Sequence, residues 1–208
     1  MTKDHYRTVA GRAEHGEKVE RSEFPGIALP VASEDAFFAE LSSIQKQHFD
    51  ATHHCWAFRL FANERARSSD AGEPSGTAGK PILGAIEAAD LFDVAVLVVR
   101  WFGGVKLGTG GLARAYRTTA AATLGGVQTA ERFVYERVRV SVPFDRLGDV
   151  YRLVAPPNVV LVSEEFGETN VFAFDVRASA ARDFEKRLVE RRLQVYPARG
   201  AGSAEPPR

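Results

Sequence analysis

Residues 94–99, Val-Ala-Val-Leu-Val-Val, form an uninterrupted aliphatic run that leads into a glycine-rich segment. A short apolar run without polar alternation is typical of a strand buried on both faces. The segment that follows, residues 103–111 (GGVKLGTGG), interrupts regular structure, and a helix is predicted over about residues 112–124. A sheet that is covered on both faces by other elements predicts a fold of the α/β (α+β) class.

The chain before this run contains further predicted elements. Residues 18–31 predict an edge strand that is interrupted at Pro25-Gly26. Ser33 is a predicted N-cap for a helix to about residue 49, a strand is predicted over 54–61, and a second helix is carried by apolar residues from Ile82 to Leu91. Residues 1–17 are polar and aperiodic, so we expect them to fray, and residues 201–208 are expected to form a disordered tail.

The second half of the chain alternates more regularly. Strands are predicted over residues 132–142, 158–164, 170–177 and 193–196, with helices over 147–154 and 180–191. The order β-α-β-β-α-β is that of the ferredoxin-like split motif. We therefore expect two domains, over residues 18–128 and 132–197, with the boundary near Gln128–Arg132.

The first candidate site lies in residues 70–79 (DAGEPSGTAG), where Asp70 and Glu73 stand close to Ser75 and Thr77. Glycine lets a backbone approach a ligand closely, and Thr77 is a predicted cap for the following helix, whose N-terminal amides would then face outward. This interpretation gives a rigid polar loop beside a helix end that favours anions. The alternative is a tight connection that uses Asp, Gly and Pro for their turn chemistry.

The second candidate site is the glycine-rich segment 103–111. A buried strand, a glycine loop, a helix N-terminus and a nearby Lys are the general layout of a phosphate-binding turn. The GxxxxGK[ST] pattern and the dinucleotide GxGxxG spacing are both absent from this segment. The alternative is that the glycines permit close packing between strand and helix.

Charged and aromatic residues flank this segment and favour an anionic ligand. Arg100, Lys106 and Arg114 supply positive charge, and aromatic rings near them, including Tyr116, are able to stack on bases or to lie in the core. The full set of candidate ligand- or nucleic-acid-binding residues is Arg59, Asp70, Glu73, Ser75, Thr77, Arg100, Gly103, Gly104, Lys106, Gly108, Gly110, Gly111, Arg114 and Tyr116.

A third candidate, around His53, His54 and Cys55, is weaker. Adjacent strand residues point to opposite faces, which argues against one metal bound by both histidines. A catalytic Cys–His pair would need a His brought close in space, and a buried structural cysteine is the simpler interpretation. No metal, cofactor or catalytic residue is assigned from the sequence.

Charge and cysteine content limit the classes of function that this protein can have. The chain carries 27 basic and 27 acidic side chains, a formal net charge of +0, so any nucleic-acid site must be a local patch. The single cysteine excludes an intramolecular disulfide. The polar N-terminus resembles no signal peptide, and no apolar run has the ~18 residues of a membrane span, so a cytoplasmic protein without membrane contact is expected.

Three segments together resemble a known family: HHCWAFRL, RSSDAGEPSGTAGKPIL and VVRWFGGVKLGTGGLARAY. In this order and spacing they are similar to the IMPACT/YigZ family, over about residues 18–125, and residues 132–197 resemble the domain of unknown function that follows in bacterial members. The resemblance implies a first domain like domain 2 of ribosomal protein S5. It also implies a ferredoxin-like second domain similar to a late domain of elongation factor G.

These observations lead to one functional hypothesis and two rivals. The leading one is a non-enzymatic protein that binds RNA or the ribosome and is linked to translation regulation. The first rival is a hydrolase or transferase acting on a phosphorylated small molecule, with Asp70, Glu73 and the 103–111 loop as its site. A protein–protein adaptor is the second. If the two glycine-rich segments form a single site, segments 70–79 and 103–111 should lie side by side on one surface.

Overall fold

The computed structural model describes residues 4–196 and divides the chain into two compact units. One unit spans Arg7–Glu131, and the other joins residues 4–6 to the chain from Arg132 onward. The predicted tail at 201–208 lies outside the described residues, as does residue 197, the last of the predicted second domain.

The Arg7–Glu131 unit is built on a five-stranded antiparallel sheet with helices on both faces. Its strand order is β2-β3-β6-β4-β5, and β1 and β7 form a separate two-stranded sheet. The elements are β1 (His5–Val9), β2 (Ala13–Val19), β3 (Ser22–Pro30), α1 (Glu34–Gln47), β4 (His53–Arg59), a 3₁₀ turn (Ala62–Glu64), β5 (Ala66–Ser69), α2 (Gly79–Ala88), β6 (Val94–Arg100), α3 (Gly108–Gly125) and β7 (Thr129–Phe133).

Strand β6 is the centre of this sheet, and each of its residues is buried. Its alternate side chains enter two cores: one face packs against α2 and α3, the other against α1. The prediction of a strand buried on both faces is confirmed, and so is the mixed α/β class. The run has no polar alternation because neither face of β6 meets water.

Helix α1 begins as predicted and ends earlier. The Ser33 hydroxyl accepts a hydrogen bond from the Ala36 amide at 3.1 Å. Phe37 and Ile44 are buried within the α1 core, but the helix ends at Gln47, and Phe49 is 85% exposed. The prediction that this helix continues to about residue 49, which counted Phe49 among its apolar positions, was wrong.

The expected fraying was wrong as well for residues 5–17, which contain strand β1 and most of strand β2. Strand β2 pairs with β3 along its whole length, from Ala13 opposite Ala28 to Val19 opposite Ser22. Because β2 is an edge strand with largely exposed side chains, it has no apolar alternation to reveal it. The compact unit that contains β2 and β3 spans Arg7–Glu131.

The second unit is a four-stranded antiparallel sheet with the order β11-β8-β10-β9. In chain order this is 4-1-3-2, with one helix after the first strand and one after the third, so the ferredoxin-like prediction is confirmed. Its elements are β8 (Tyr135–Val142), a 3₁₀ turn (Phe144–Arg146), α4 (Leu147–Tyr151), β9 (Val159–Glu165), β10 (Asn170–Arg177), α5 (Ala181–Glu190) and β11 (Gln194–Tyr196).

Candidate functional site

Asp70 is fully engaged by the backbone of its own loop. Its two carboxylate oxygens accept hydrogen bonds from the amides of Gly76 (2.8 Å), Ala78 (2.9 Å) and Gly79 (2.8 Å), at the start of α2. Partial burial raises the pKa of Asp70, but these amides favour the charged form more strongly, and the net pKa is lowered. The anion expected at this helix end is therefore the side chain of Asp70 itself.

The neighbouring polar residues of the loop have other roles than predicted. Thr77 does not cap α2, because Ala78 holds the N-cap position without a side-chain hydrogen bond. The Thr77 hydroxyl instead donates to the Pro74 carbonyl at 2.7 Å and is buried. Ser75 remains exposed.

Glu73 is the centre of a buried polar cluster. Its Oε1 accepts hydrogen bonds from Arg100 Nη1 at 2.6 Å and from the Tyr116 hydroxyl at 2.8 Å. Arg100 Nη2 also donates to the Ser22 hydroxyl at 3.3 Å, and its guanidinium lies 5.3 Å from the centre of the Phe24 ring. All these side chains are buried, so the charge of Arg100 is neutralised within the protein rather than presented to a ligand.

Cys55 and His53 border this cluster. The Cys55 thiol donates to the Asp70 carbonyl at 2.9 Å and lies 3.3 Å from the Tyr116 hydroxyl. Burial raises the pKa of Cys55 to about 12, so the sulfur stays a thiol and not a nucleophilic thiolate. His53 Nδ1 lies 2.9 Å from the Ala71 carbonyl, and its Nε2 lies 3.9 Å from Glu73 Oε1. The interpretation of Cys55 as a buried structural cysteine is confirmed.

The same contacts connect the two glycine-rich segments. Glu73 belongs to the first segment, whereas Arg100 and Tyr116 flank the second. The first segment is thus joined to β6 and α3, the two elements that flank the second, through side chains that point inward. Glu73, Arg100 and Tyr116 form a buried cluster, and the partly buried carboxylate of Asp70 is held by backbone amides of its own loop.

The glycines of the second segment divide into distinct structural roles. A Cβ built on Gly103 would lie 1.9 Å from the backbone carbonyl of Arg21, so this glycine permits two chain segments to touch. Gly104 and Gly108 have φ values of +84° and +68°, the left-handed region that favours glycine. Helix α3 begins at Gly108, so the last residues of the predicted loop, through Gly111, form its first turn.

The Gly103 contact gives a direct test of this packing. Gly103→Ala is expected to lower the free energy of unfolding by about 1–3 kcal/mol, because two backbone segments must separate to admit the methyl group. Gly110→Ala is the matched control, since its new Cβ would meet only Arg114 Nη1 at 3.7 Å and alanine favours helices. Urea titration would give both values; a Gly103 variant as stable as the Gly110 variant would contradict the packing role.

An open groove lies beside the first turn of α3. Its volume is about 450 Å³, and Lys106, Leu107, Gly111 and Arg114 line one side, while Glu17 and Glu20 line the opposite side. Lys106 and Arg114 are both exposed, and neither forms an ion pair within the described residues. Among the predicted basic set, these two face solvent and Arg100 does not.

Arg59 does not join this groove. It lies at the other end of β4, opposite Val94, whereas His53 is opposite Arg100. Its guanidinium packs 3.7 Å from the centre of the Phe92 ring and 3.7 Å from Asp90. Arg59 therefore packs at the opposite end of β4 from His53.

Two partners of the buried cluster, Ser22 and His53, were not among the predicted site residues. His53 stands in a recognisable motif, but Ser22 lies in a polar stretch with no local signal of its role. Within residues 4–196, no group of three or more His, Cys, Asp and Glu is arranged to hold a metal ion. Nor is any described helix long and apolar enough to cross a membrane.

Known proteins share this architecture. Residues 20–124 match the Impact N-terminal domain. The IMPACT family member YvyE of Bacillus subtilis is 32% identical over 186 residues, covering 89% of this chain and 86% of that protein. An IMPACT family member in the pol 5′ region of Thermus thermophilus is 45% identical over 136 residues, covering 65% and 73%.

A solved structure extends the similarity to both units. The crystal structure of a hypothetical protein, 25% identical, superposes with a TM-score of 0.68 and covers 92% of this chain and 96% of that one. The fold and the buried cluster thus define a mixed α/β protein in which the Glu73–Arg100 ion pair joins the first glycine-rich segment to the strand that precedes the second. The chain belongs to the IMPACT family.

Proposed function

We propose that the protein binds RNA, free or within the ribosome, through phosphate contacts at the first turn of α3, and that it acts in translation regulation. The observation that carries the proposal is a pair of exposed cations, Lys106 and Arg114, which form no ion pair within residues 4–196. They stand beside the start of α3, where the N-cap residue makes no side-chain hydrogen bond. The family resemblance adds the connection with translation.

The local chemistry supports binding of a phosphate at this position. Leu107, the N-cap residue of α3, makes no side-chain capping hydrogen bond, and a helix N-terminus carries partial positive charge. A Cβ on Gly110 would lie 3.7 Å from Arg114 Nη1, so the guanidinium folds back over this turn. Glycines leave the amides open to close approach by a phosphate oxygen.

The opposite wall of the groove limits the contact. Glu17 and Glu20 on or next to β2 would repel a polyanion, so the backbone of an RNA would follow the α3 side alone. With a net charge of +0 over the chain, the affinity should arise from this short patch, and its salt dependence should be set by the few phosphates that the patch contacts.

The two carboxylates that the enzyme alternative requires are already occupied by other groups of the protein. Asp70 uses its oxygens to accept three backbone amides, and Glu73 is held inside by Arg100 and Tyr116. Neither carboxylate lines the groove beside Lys106, where a phosphorylated substrate would have to lie.

The proposal predicts a specific salt dependence. Lys106→Ala should weaken binding of single-stranded RNA and reduce the magnitude of the log-affinity against log-salt slope by about 0.7–0.9, because one phosphate contact is lost. Arg114→Ala should behave alike, and Glu20→Gln should tighten binding. Fluorescence anisotropy titrations at several salt concentrations measure all three variants.

Two controls decide the outcome. Lys186→Ala removes another exposed lysine, one that pairs with Asp183 in the second unit, and should leave affinity and slope unchanged. Co-sedimentation with ribosomes, wild type against the Lys106→Ala/Arg114→Ala double variant, tests the same patch on ribosomal RNA. An unchanged slope for Lys106→Ala and undiminished co-sedimentation of the double variant would reject the proposal.

A further inference from the structure

The second unit carries large aromatic side chains on its surface that are exposed to solvent. Phe144 is 80% exposed, Phe166 60% and Tyr151 43%. We call these three residues the aromatic patch. Single exposed apolar residues are common on monomers, but several large rings gathered at one end of a domain are typical of an interaction site.

Two rings of the aromatic patch, those of Tyr151 and Phe166, are held in place from beneath. Tyr151 and Phe166 each contact the buried Phe172 ring edge-on, at centroid distances of 5.7 and 5.9 Å. Phe144 and the turn Gly167–Asn170 line a common cavity of about 320 Å³. Asn170 fixes that turn, because its side-chain amide donates to the Val142 carbonyl at 3.1 Å. Rings fixed in this way lose little entropy when a partner binds.

The charges around the patch are acidic. Asp145 adjoins Phe144, Glu164 accepts a hydrogen bond from the Tyr151 hydroxyl at 2.6 Å, and Glu168 lies in the hairpin turn. All three are exposed, and none forms an ion pair within residues 4–196. The nearby Arg146 and Arg152 both pair already with Asp149.

We propose that the aromatic patch and its three carboxylates bind a positively charged protein segment that carries a large apolar side chain. The rings supply the apolar contact, and the carboxylates provide charge complementarity for Lys or Arg. An RNA would bring its phosphates against the three carboxylates. A second copy of this chain, docked by two-fold symmetry, would place the same acidic rim against itself.

Fluorescence anisotropy with three labelled peptides tests this assignment. The probe is a seven-residue peptide of alternating Arg and Leu; one comparison peptide has Glu in place of Arg, and the other has Ser in place of Leu. The intact protein should bind the Arg–Leu peptide about tenfold or more tightly than either comparison peptide, since both charge and apolar contact are needed.

Variants locate the binding to the patch. Phe166→Ala and Phe144→Ala should each weaken the Arg–Leu peptide about fivefold or more, and Glu168→Gln should weaken it and flatten its salt dependence. Phe49→Ala, which removes an exposed ring from the first unit, should change nothing, and circular dichroism would verify folding. Equal binding by Phe166→Ala and wild type, equal binding of the three peptides, or a loss of RNA affinity in Phe166→Ala would overturn the proposal.

Discussion

Arg100→Met is expected to lower the free energy of unfolding of the Arg7–Glu131 unit by about 3–5 kcal/mol. Glu73 and Arg100 are both buried, and Glu73 Oε1 lies 2.6 Å from Arg100 Nη1. Removing the guanidinium leaves a carboxylate without its counter-charge in a site that excludes water. The remaining donor, Tyr116, cannot replace that charge.

A double-mutant cycle separates the ion pair from simple loss of packing. Glu73→Leu should destabilise by a similar amount, because Arg100 is then the unpaired buried charge. The double variant Glu73→Leu/Arg100→Met should be more stable than the sum of the two losses predicts, by about 2 kcal/mol or more. Both tryptophans, Trp56 and Trp101, lie in this unit, so their fluorescence in urea reports its unfolding.

An exposed ion pair on the same sheet is the matched control. Lys18 Nζ lies 2.7 Å from Glu23 Oε1, and both side chains are more than half exposed. Lys18→Met should leave the free energy of unfolding close to the wild-type value, since water screens the pair. If Arg100→Met costs no more than Lys18→Met, the buried cluster does not stabilise the junction of the two segments.

The sequence pattern was sufficient for the elements whose side chains face a core. Strand β6 and helix α5 bury apolar residues in a continuous or helical arrangement, which is visible in the sequence itself. Strands β2 and β5 were not predicted because they are the two edge strands of the five-stranded sheet. Edge strands are stabilised by backbone pairing on one side and keep polar side chains, so their composition resembles that of loops.

Glu73, Arg100 and Tyr116, which the sequence analysis singled out, contact one another, but the inward direction of their side chains was not foreseen. Residue types in segments 70–79 and 100–116 indicated polar chemistry, and these segments are adjacent. Glu73 meets its partners 27 and 43 residues further along the chain, and no local pattern predicts that pairing. Whether a charged side chain faces a ligand or another side chain depends on tertiary contacts that spacing does not encode.

Asp70→Ala is the second large effect that we expect, a loss of about 3 kcal/mol of stability at neutral pH. Asp70 accepts hydrogen bonds from three amides, and each donor left without an acceptor costs about 1–3 kcal/mol where water reaches it poorly. Its negative charge also faces the N-terminal end of α2, where helix amides favour an anion. Asp70→Asn keeps the shape but not the charge, and should fall between wild type and Asp70→Ala.

This contribution should depend on pH in a defined direction. Burial raises the pKa of Asp70, but the three amides lower it further, so the folded pKa lies below the ordinary value of 3.8. A lowered folded pKa means that the stabilisation is complete well above 3.8, begins to be lost as the pH approaches that value, and continues to be lost below it. The stability difference between wild type and Asp70→Ala should therefore shrink on acidification.

Tryptophan fluorescence during urea unfolding, from pH 7 to pH 3, measures that difference within one unit. The signal must come from this unit alone, because Asp4 in the other unit also has a lowered pKa and would add its own pH dependence. Burial raises the pKa of Asp4, but hydrogen bonds from Ser179 and Arg177 lower it more, to about 2. Asp50→Asn removes an exposed carboxyl and should leave stability unchanged at each pH. A wild-type to Asp70→Ala difference that stays constant down to pH 3 would show that Asp70 acts through its shape and not through its charge.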